Sequence, residues 1–123
     1  MTPVHWQRIE GAGMALAGLA GGLALAQAQH WPWWAIAAVL LAPDLSMVGD
    51  VAGRRIGAAI YNLAHLYALG LLLAAAALAI PGWADAAVAG LLWVGHIGID
   101  RALGYGLKQA SGFRDTHLGR IGR

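Results

Sequence analysis

The sequence predicts an all-α integral membrane protein, a four-helix bundle with both termini in the cytoplasm. Of its 123 residues, 59% are hydrophobic and only 11% are charged, and the mean hydropathy is +0.61. Two long runs contain no charged side chain: 33 positions between Glu10 and Asp44, and 29 between Arg55 and Asp85. Because about 20 apolar residues cross the hydrocarbon as a helix, these runs exclude an ordinary soluble domain and predict membrane spans.

The first two spans lie in the amino-terminal half. The first is expected from Ile9 to Ala28 as a retained helix, because a signal peptide has a shorter apolar core. The second is expected from Trp31 to about Val51, and Pro32 suits its first helical turn. We expect Pro43 to kink this span and free a carbonyl near Val39, which neighbouring helices or water must then satisfy.

Two further spans follow a glycine-arginine turn. The third is expected from about Ile56 to Ile80, where a Pro-Gly pair ends it, and the fourth from about Trp83 to Gly104. Gly18 and Gly22 in the first span form a pair of small residues four apart, which favours close contact with another helix. Residues 1–123 therefore form one domain, with a basic tail over about 106–123.

The basic residues determine the orientation. They precede the first span, join the second to the third, and follow the fourth: Arg8, Arg54, Arg55, Lys108, Arg114, Arg120 and Arg123. The positive-inside rule therefore places both termini in the cytoplasm, and tryptophans cluster at the opposite ends. Since seven of the eight basic residues serve these ends, nucleic acid is excluded as a partner. The absence of cysteine excludes disulfides, thiolate metal sites and cysteine nucleophiles.

The tail allows two interpretations. Phe113, His117 and Ile121 recur at helical spacing, and the basic residues suit anionic headgroups, which predicts a juxtamembrane segment. The alternative is that Asp115, Thr116 and His117 fold back as a lid that carries a functional histidine.

Ionisable residues within spans point to a functional site. Each costs roughly 2.5 to 3.5 kcal/mol at the middle of the bilayer, so its presence requires a reason. At 1.5 Å per helical residue, Asp44, His65, His96 and Asp100 lie about 12 to 18 Å from the cytoplasmic basic residues. They therefore share one layer in the cytoplasmic half. The third-span polar residues and the His96–Asp100 pair have helical spacing, so we expect His65 to face His96, with Asp44 completing the cluster.

Four motifs together resemble the signature of a bacterial domain-of-unknown-function family of small four-helix membrane proteins. They are Pro43-Asp44-Leu45-Ser46-Met47, Tyr61-Asn62-x-x-His65, His96-x-x-x-Asp100-Arg101-x-x-Gly104-Tyr105-Gly106-Leu107-Lys108 and Phe113-x-x-Thr116-His117-Leu118-Gly119. The resemblance extends from Arg8-x-Glu10 to the end and departs at Asp50, where an aromatic residue is expected after Gly49. It implies a bacterial inner-membrane location and residues to suspect, but no reaction.

The first hypothesis for the polar layer is a metal-dependent enzyme. His65, His96 and Asp100 are expected to bind zinc or iron, because imidazole and carboxylate are ligands of both. Asp44 is expected as a fourth ligand or general base, and Arg101 as a further catalytic residue. Asn62 is expected either to hydrogen-bond a ligand or to act as an oxyanion donor. Such a site predicts a hydrolase that acts on a lipid or amphiphile from the cytoplasmic side. A homodimer is also expected, because four short helices enclose a site only thinly.

Three other hypotheses remain open. Two histidines at one depth also suit a haem or quinone in a redox protein. A proton pathway is a third hypothesis, although the outer half of the bundle lacks polar residues. In the fourth, the polar residues only join helices in a non-enzymatic protein. Asp44 then pairs with Arg101 and Glu10 with Arg8 or Arg101, while Asn62 and His65 form hydrogen bonds across to the fourth span.

Overall fold

The computed structural model describes residues 1–122 and is a helical bundle with a short β-ribbon at its carboxyl end. Its α-helices are α1 (Pro3–Ala28), α2 (Trp33–Leu41), α3 (Arg54–Ala64), α4 (Tyr67–Ala79) and α5 (Ala84–Leu103); a 3₁₀ segment covers Ala42–Ala52, and the strands are β1 (Asp115–Thr116) and β2 (Gly119–Arg120). These helices form four spans that are long and apolar enough to cross a membrane. The predicted all-α, multi-pass membrane bundle is confirmed.

The first span begins six residues before the position that its hydropathy predicts. Thr2 caps α1: its hydroxyl accepts from the His5 amide, while the His5 ring accepts from the Thr2 amide at 3.0 Å. Pro3 occupies the first turn, where its missing N–H has no helical partner in any case. The polar residues up to Glu10 are therefore helical, because capping rather than hydropathy determines where the helix starts.

The second span changes helix type at Pro43. The α-helix ends at Leu41 and the chain continues as the 3₁₀ segment to Ala52. The change has a direct cause: proline has no N–H to donate to the carbonyl four residues back. Contrary to the prediction, the carbonyl of Val39 is not left free, because the amide of Ala42 donates to it.

The third span occupies nearly the range predicted for it, Arg54–Ala79, but its helix is interrupted within that range. α3 ends at Ala64, and Leu66 is extended, with φ −88° and ψ 131°, before α4 begins. The break contains neither proline nor glycine. It is stabilised from α5, because the Trp93 indole N–H donates to the Ala64 carbonyl at 2.6 Å and Arg101 donates to the His65 carbonyl at 3.0 Å. Side-chain donors thus replace the missing helical hydrogen bonds.

α5 is the central helix, with ten buried residues, and α1 packs directly against it. Glycines on both helices allow the backbones to touch: a Cβ atom at Gly18 would lie 2.5 Å from the Gly95 nitrogen. A Cβ atom at Gly22 would likewise come too close to Leu92. The Gly18–Gly22 pair thus lies at a close helix contact, and the packing is of the small-residue type common in membranes. We call this contact the α1–α5 seam.

The tail folds back onto the bundle as an antiparallel β-ribbon, so helical structure at Phe113, His117 and Ile121 is not observed. Asn62 holds the start of the tail: its amide donates to the Lys108 carbonyl at 2.9 Å and accepts from the Lys108 amide at 2.6 Å. The His117 ring accepts from the Leu107 amide at 2.8 Å. His117 thus holds the tail, and it is not among the residues that could bind a metal ion, Asp44, His65, His96 and Asp100.

Candidate metal centre

Four side chains from three spans converge inside the bundle. One carboxylate oxygen of Asp44 and one of Asp100 each lie 3.3 to 3.6 Å from the Nε2 atoms of both His65 and His96. All four potential ligand atoms lie within 4.8 Å of one another. The sequence-based expectation that His65 faces His96, with Asp44 completing the cluster, therefore corresponds to the observed arrangement. We call these four residues, which could hold one metal ion, the metal cluster.

Two of the cluster residues come from a regular helix and two from irregular backbone. His96 and Asp100 are one turn apart on α5 and project from the same face. Asp44 lies in the first turn of the 3₁₀ segment, immediately after Pro43. His65 is the C-cap residue that follows α3, so the helix break directs its ring into the bundle.

The imidazole of His65 is oriented as a ligand. Its Nδ1 atom lies 2.9 Å from the Tyr61 carbonyl, which can only accept, so Nδ1 carries the proton and donates it. The ring also stacks on the Tyr61 ring, with centroids 3.7 Å apart. Consequently Nε2 presents its lone pair to the cluster. A backbone carbonyl that fixes the tautomer in this way is characteristic of metal-binding histidines.

The spacing of the ligand atoms fits a small cation. Bonds of about 2.0 to 2.1 Å in a tetrahedral site separate neighbouring ligands by about 3.3 to 3.5 Å, close to the four carboxylate–imidazole distances observed. The Nε2 atoms of His65 and His96 are buried, and neither has a hydrogen-bond partner within residues 1–122. The distances also exceed the roughly 2.7 to 2.9 Å of a charge-assisted N–H···O bond. A divalent cation would satisfy both nitrogens and neutralise both carboxylates.

The cluster is closed on one side and accessible on another. His65 is fully buried and His96 is 6% exposed, whereas the side chain of Asp44 is 38% exposed. A molecule approaching the cluster therefore meets Asp44 first. The cluster is therefore less enclosed than a structural four-ligand site, because one of its four residues is partly exposed.

Asn62 and Arg101, predicted as catalytic residues, bind backbone groups in this structure. Asn62 holds Lys108, and Arg101 donates to the carbonyls of His65 and Tyr105 at 3.0 and 2.8 Å. Arg101 thereby supports the helix break that orients His65. A direct role of either side chain in catalysis stays a prediction.

Lys108 was interpreted from the sequence only as a basic residue near the headgroups, and the structure gives it a more specific position. It is 8% exposed, and its ammonium lies 3.4 Å from Asp50, 3.6 Å from the Phe113 ring centroid and 4.4 Å from that of Tyr61. Tyr61 in turn stacks on His65. The sequence offers one indication of this position of Lys108: its partner Asp50 is an acidic residue at a site where an aromatic residue is expected.

The haem hypothesis and the ion pairs of the helix-association hypothesis fit this geometry less well, whereas the hydrogen bond from Arg101 of α5 to the His65 carbonyl does join the third and fourth spans. Both carboxylates lie between the two imidazole nitrogens, in the space that a porphyrin ring between axial histidines must occupy. The ion pairs expected for helix association, Asp44 with Arg101 and Glu10 with Arg8 or Arg101, do not occur among residues 1–122. Arg8 instead donates to the Ala102 carbonyl at 2.9 Å.

Comparisons with known proteins agree with the resemblance seen in the motifs. Neither the curated proteins nor the solved structures include a match to the chain. A family model described as a domain of unknown function, DUF4260, matches residues 4–121 and therefore nearly the whole chain, including all four cluster residues. The chain belongs to the DUF4260 family.

Proposed function

We propose that this protein is a membrane-embedded, metal-dependent hydrolase that acts on a lipid or amphiphile from the cytoplasmic side of a bacterial inner membrane. The observation that carries the proposal is the metal cluster: two buried imidazole nitrogens without hydrogen-bond partners, each 3.3 to 3.6 Å from two carboxylate oxygens. The donor set of two nitrogens and two oxygens suits zinc or non-haem iron.

Hydrolysis is the reaction that this donor set supports best. A divalent ion held by these residues would lower the pKa of a water to about 7 and would polarise an ester or phosphoryl oxygen. Asp44 is the most exposed of the four residues, which suits either a weak ligand or the base that takes a proton from water. His65, His96 and Asp100 then form the permanent part of the site.

The membrane position supports an amphiphilic substrate. The cluster lies within spanning segments, and the basic residues follow the positive-inside pattern on its side of the bundle. A water-soluble substrate would have to leave water to reach this depth, whereas a lipid headgroup can move to it within its own leaflet.

Metal analysis of the purified protein tests the proposal. We expect about one zinc or iron per chain in the wild type and at least a tenfold loss in His65→Ala and His96→Ala, because each removes a ligand. His30→Ala is the matched control, since His30 is exposed at the end of α1. No bound metal under any loading condition would overturn the proposal, and a Soret band would support a haem protein instead.

The role of Asp44 is separated by an isosteric substitution. If Asp44 is the base, Asp44→Asn keeps the metal and loses turnover of an ester or phosphodiester amphiphile in vesicles. If Asp44 is a required ligand, metal and turnover are lost together. Turnover equal to that of the wild type would exclude both roles.

A further inference from the structure

An apolar cleft of about 300 Å³ lies between the second, third and fourth spans. Its walls are formed by Val39, Leu73, Ala89 and Trp93, and its inner end by Pro43 and Ala64. The volume is at the lower end of the range for small-molecule pockets. It therefore suits a narrow occupant such as a single hydrocarbon chain.

The polar groups that border the cleft are already satisfied by the protein. The indole N–H of Trp93 donates to the Ala64 carbonyl at 2.6 Å, and the hydroxyl of Ser46 donates to the Pro43 carbonyl at 2.6 Å. The cleft thus offers an occupant almost only carbon surface. Water has few partners there, because a bound water needs two to four polar groups.

The inner end of the cleft adjoins the metal cluster. Pro43 and Ala64 immediately precede Asp44 and His65 in the chain, and Trp93 lies one turn before His96 on α5. A chain in the cleft would therefore have its polar end at the cluster residues. The spanning helices that form the cleft face hydrocarbon, so acyl chains surround its mouth.

We infer that this cleft is the binding site for the single apolar chain of an amphiphilic substrate whose polar head lies at the metal cluster. This inference rests on the proposed function, because it assigns the head to that site. It narrows the substrate class: the reacting bond lies next to the headgroup, and one hydrocarbon chain enters sideways from the bilayer. Three alanines, Ala42, Ala64 and Ala89, keep the cleft open, so larger side chains at these positions would fill it.

Photolabelling with a defined probe tests the inference. The probe is a dodecyl hydroxamic acid with a diazirine near the chain end, added to metal-loaded protein in phosphatidylcholine nanodiscs. We expect label on Leu73, Ala89 and Trp93 at least fivefold above that on Leu72 and Ala75, which are exposed on the same third span. The reason is that the hydroxamate head anchors the chain, whereas bulk lipid labels all exposed residues alike.

Two variants fill the cleft, and a third is the matched control. Ala89→Phe and Ala42→Phe should reduce the enrichment to background, while Ala75→Phe, with its side chain outside the cleft, should leave it unchanged. Ala42 is exposed at the rim, so its substitution remains informative if Ala89→Phe fails to fold. Enrichment that persists in both folded cleft variants would overturn the inference.

Metal content measured on the same samples separates this inference from the proposed function. Bound metal with uniform labelling overturns the cleft and leaves the metal centre intact. Enriched labelling in protein that binds no metal overturns the proposed function and still supports a chain-binding site. Uniform labelling without metal overturns both.

Discussion

The α1–α5 seam and the metal cluster use the same central helix in opposite ways. At the seam, two regular helices approach until backbone meets backbone, as at Gly18 and Gly95. At the cluster, α5 faces a 3₁₀ segment and a broken helix. Side chains of α5 donate to the carbonyls that the helix break leaves without helical hydrogen bonds. A small bundle can thus position a site with the two faces of one helix. The α1–α5 seam holds one face of α5 in place, and the other face meets the irregular segments that carry Asp44 and His65.

The largest expected effect comes from breaking the seam. Gly18→Leu should destabilise the folded protein by about 3 kcal/mol, at the upper end of overpacking costs, because its Cβ atom alone would overlap the Gly95 backbone. The free energy of unfolding in bicelles measures this. Gly13→Leu is the control, since a Cβ atom there meets nothing within 4 Å. Equal losses in the two variants would contradict a specific role for the seam.

A smaller effect is expected where α5 supports the broken helix. Arg101→Met should lower the free energy of unfolding by about 2 kcal/mol, because the carbonyls of His65 and Tyr105 lose their donor. Arg8→Met, which removes a donor to one carbonyl at an exposed position, should cost under about 0.5 kcal/mol. Unchanged stability with abolished turnover would instead support the catalytic role predicted from the sequence.

The smallest effect concerns the tail, which lies outside the spans. Partial burial lowers the pKa of His117 below its usual value of about 6.5, and the charge of Arg101 acts in the same direction. The neutral ring accepts from Leu107, so docking is stabilised above about pH 6.5 and this contribution is lost as pH falls through the lowered pKa. Hydrogen exchange of the Leu107 amide, corrected for its intrinsic rate, should rise severalfold from pH 7.5 to 5. In His117→Asn, whose side chain accepts without titrating, it should stay flat; an identical rise there would assign the effect to another group.

The parts of the fold that depend on local chemistry could be predicted from the sequence. Uncharged runs predict the spans, and the spacing of His96 and Asp100 predicts a shared face. The break at His65 could not be predicted, because its stability comes from Trp93 and Arg101, about thirty residues away in the chain. The choice between the two interpretations of the tail could not be made from the sequence for a related reason: the start of the tail is held by the long-range hydrogen bonds between Asn62 and Lys108.

The position of α5 at the end of the spanning region also determines the order of assembly. This helix supplies two of the four cluster residues and one whole side of the seam. During synthesis the second and third spans therefore enter the bilayer with Asp44 and His65 before their partners have left the ribosome. Until the fourth span is inserted, these side chains carry an uncompensated insertion cost. The four residues can therefore come together only after the fourth span, which carries His96 and Asp100, has been inserted.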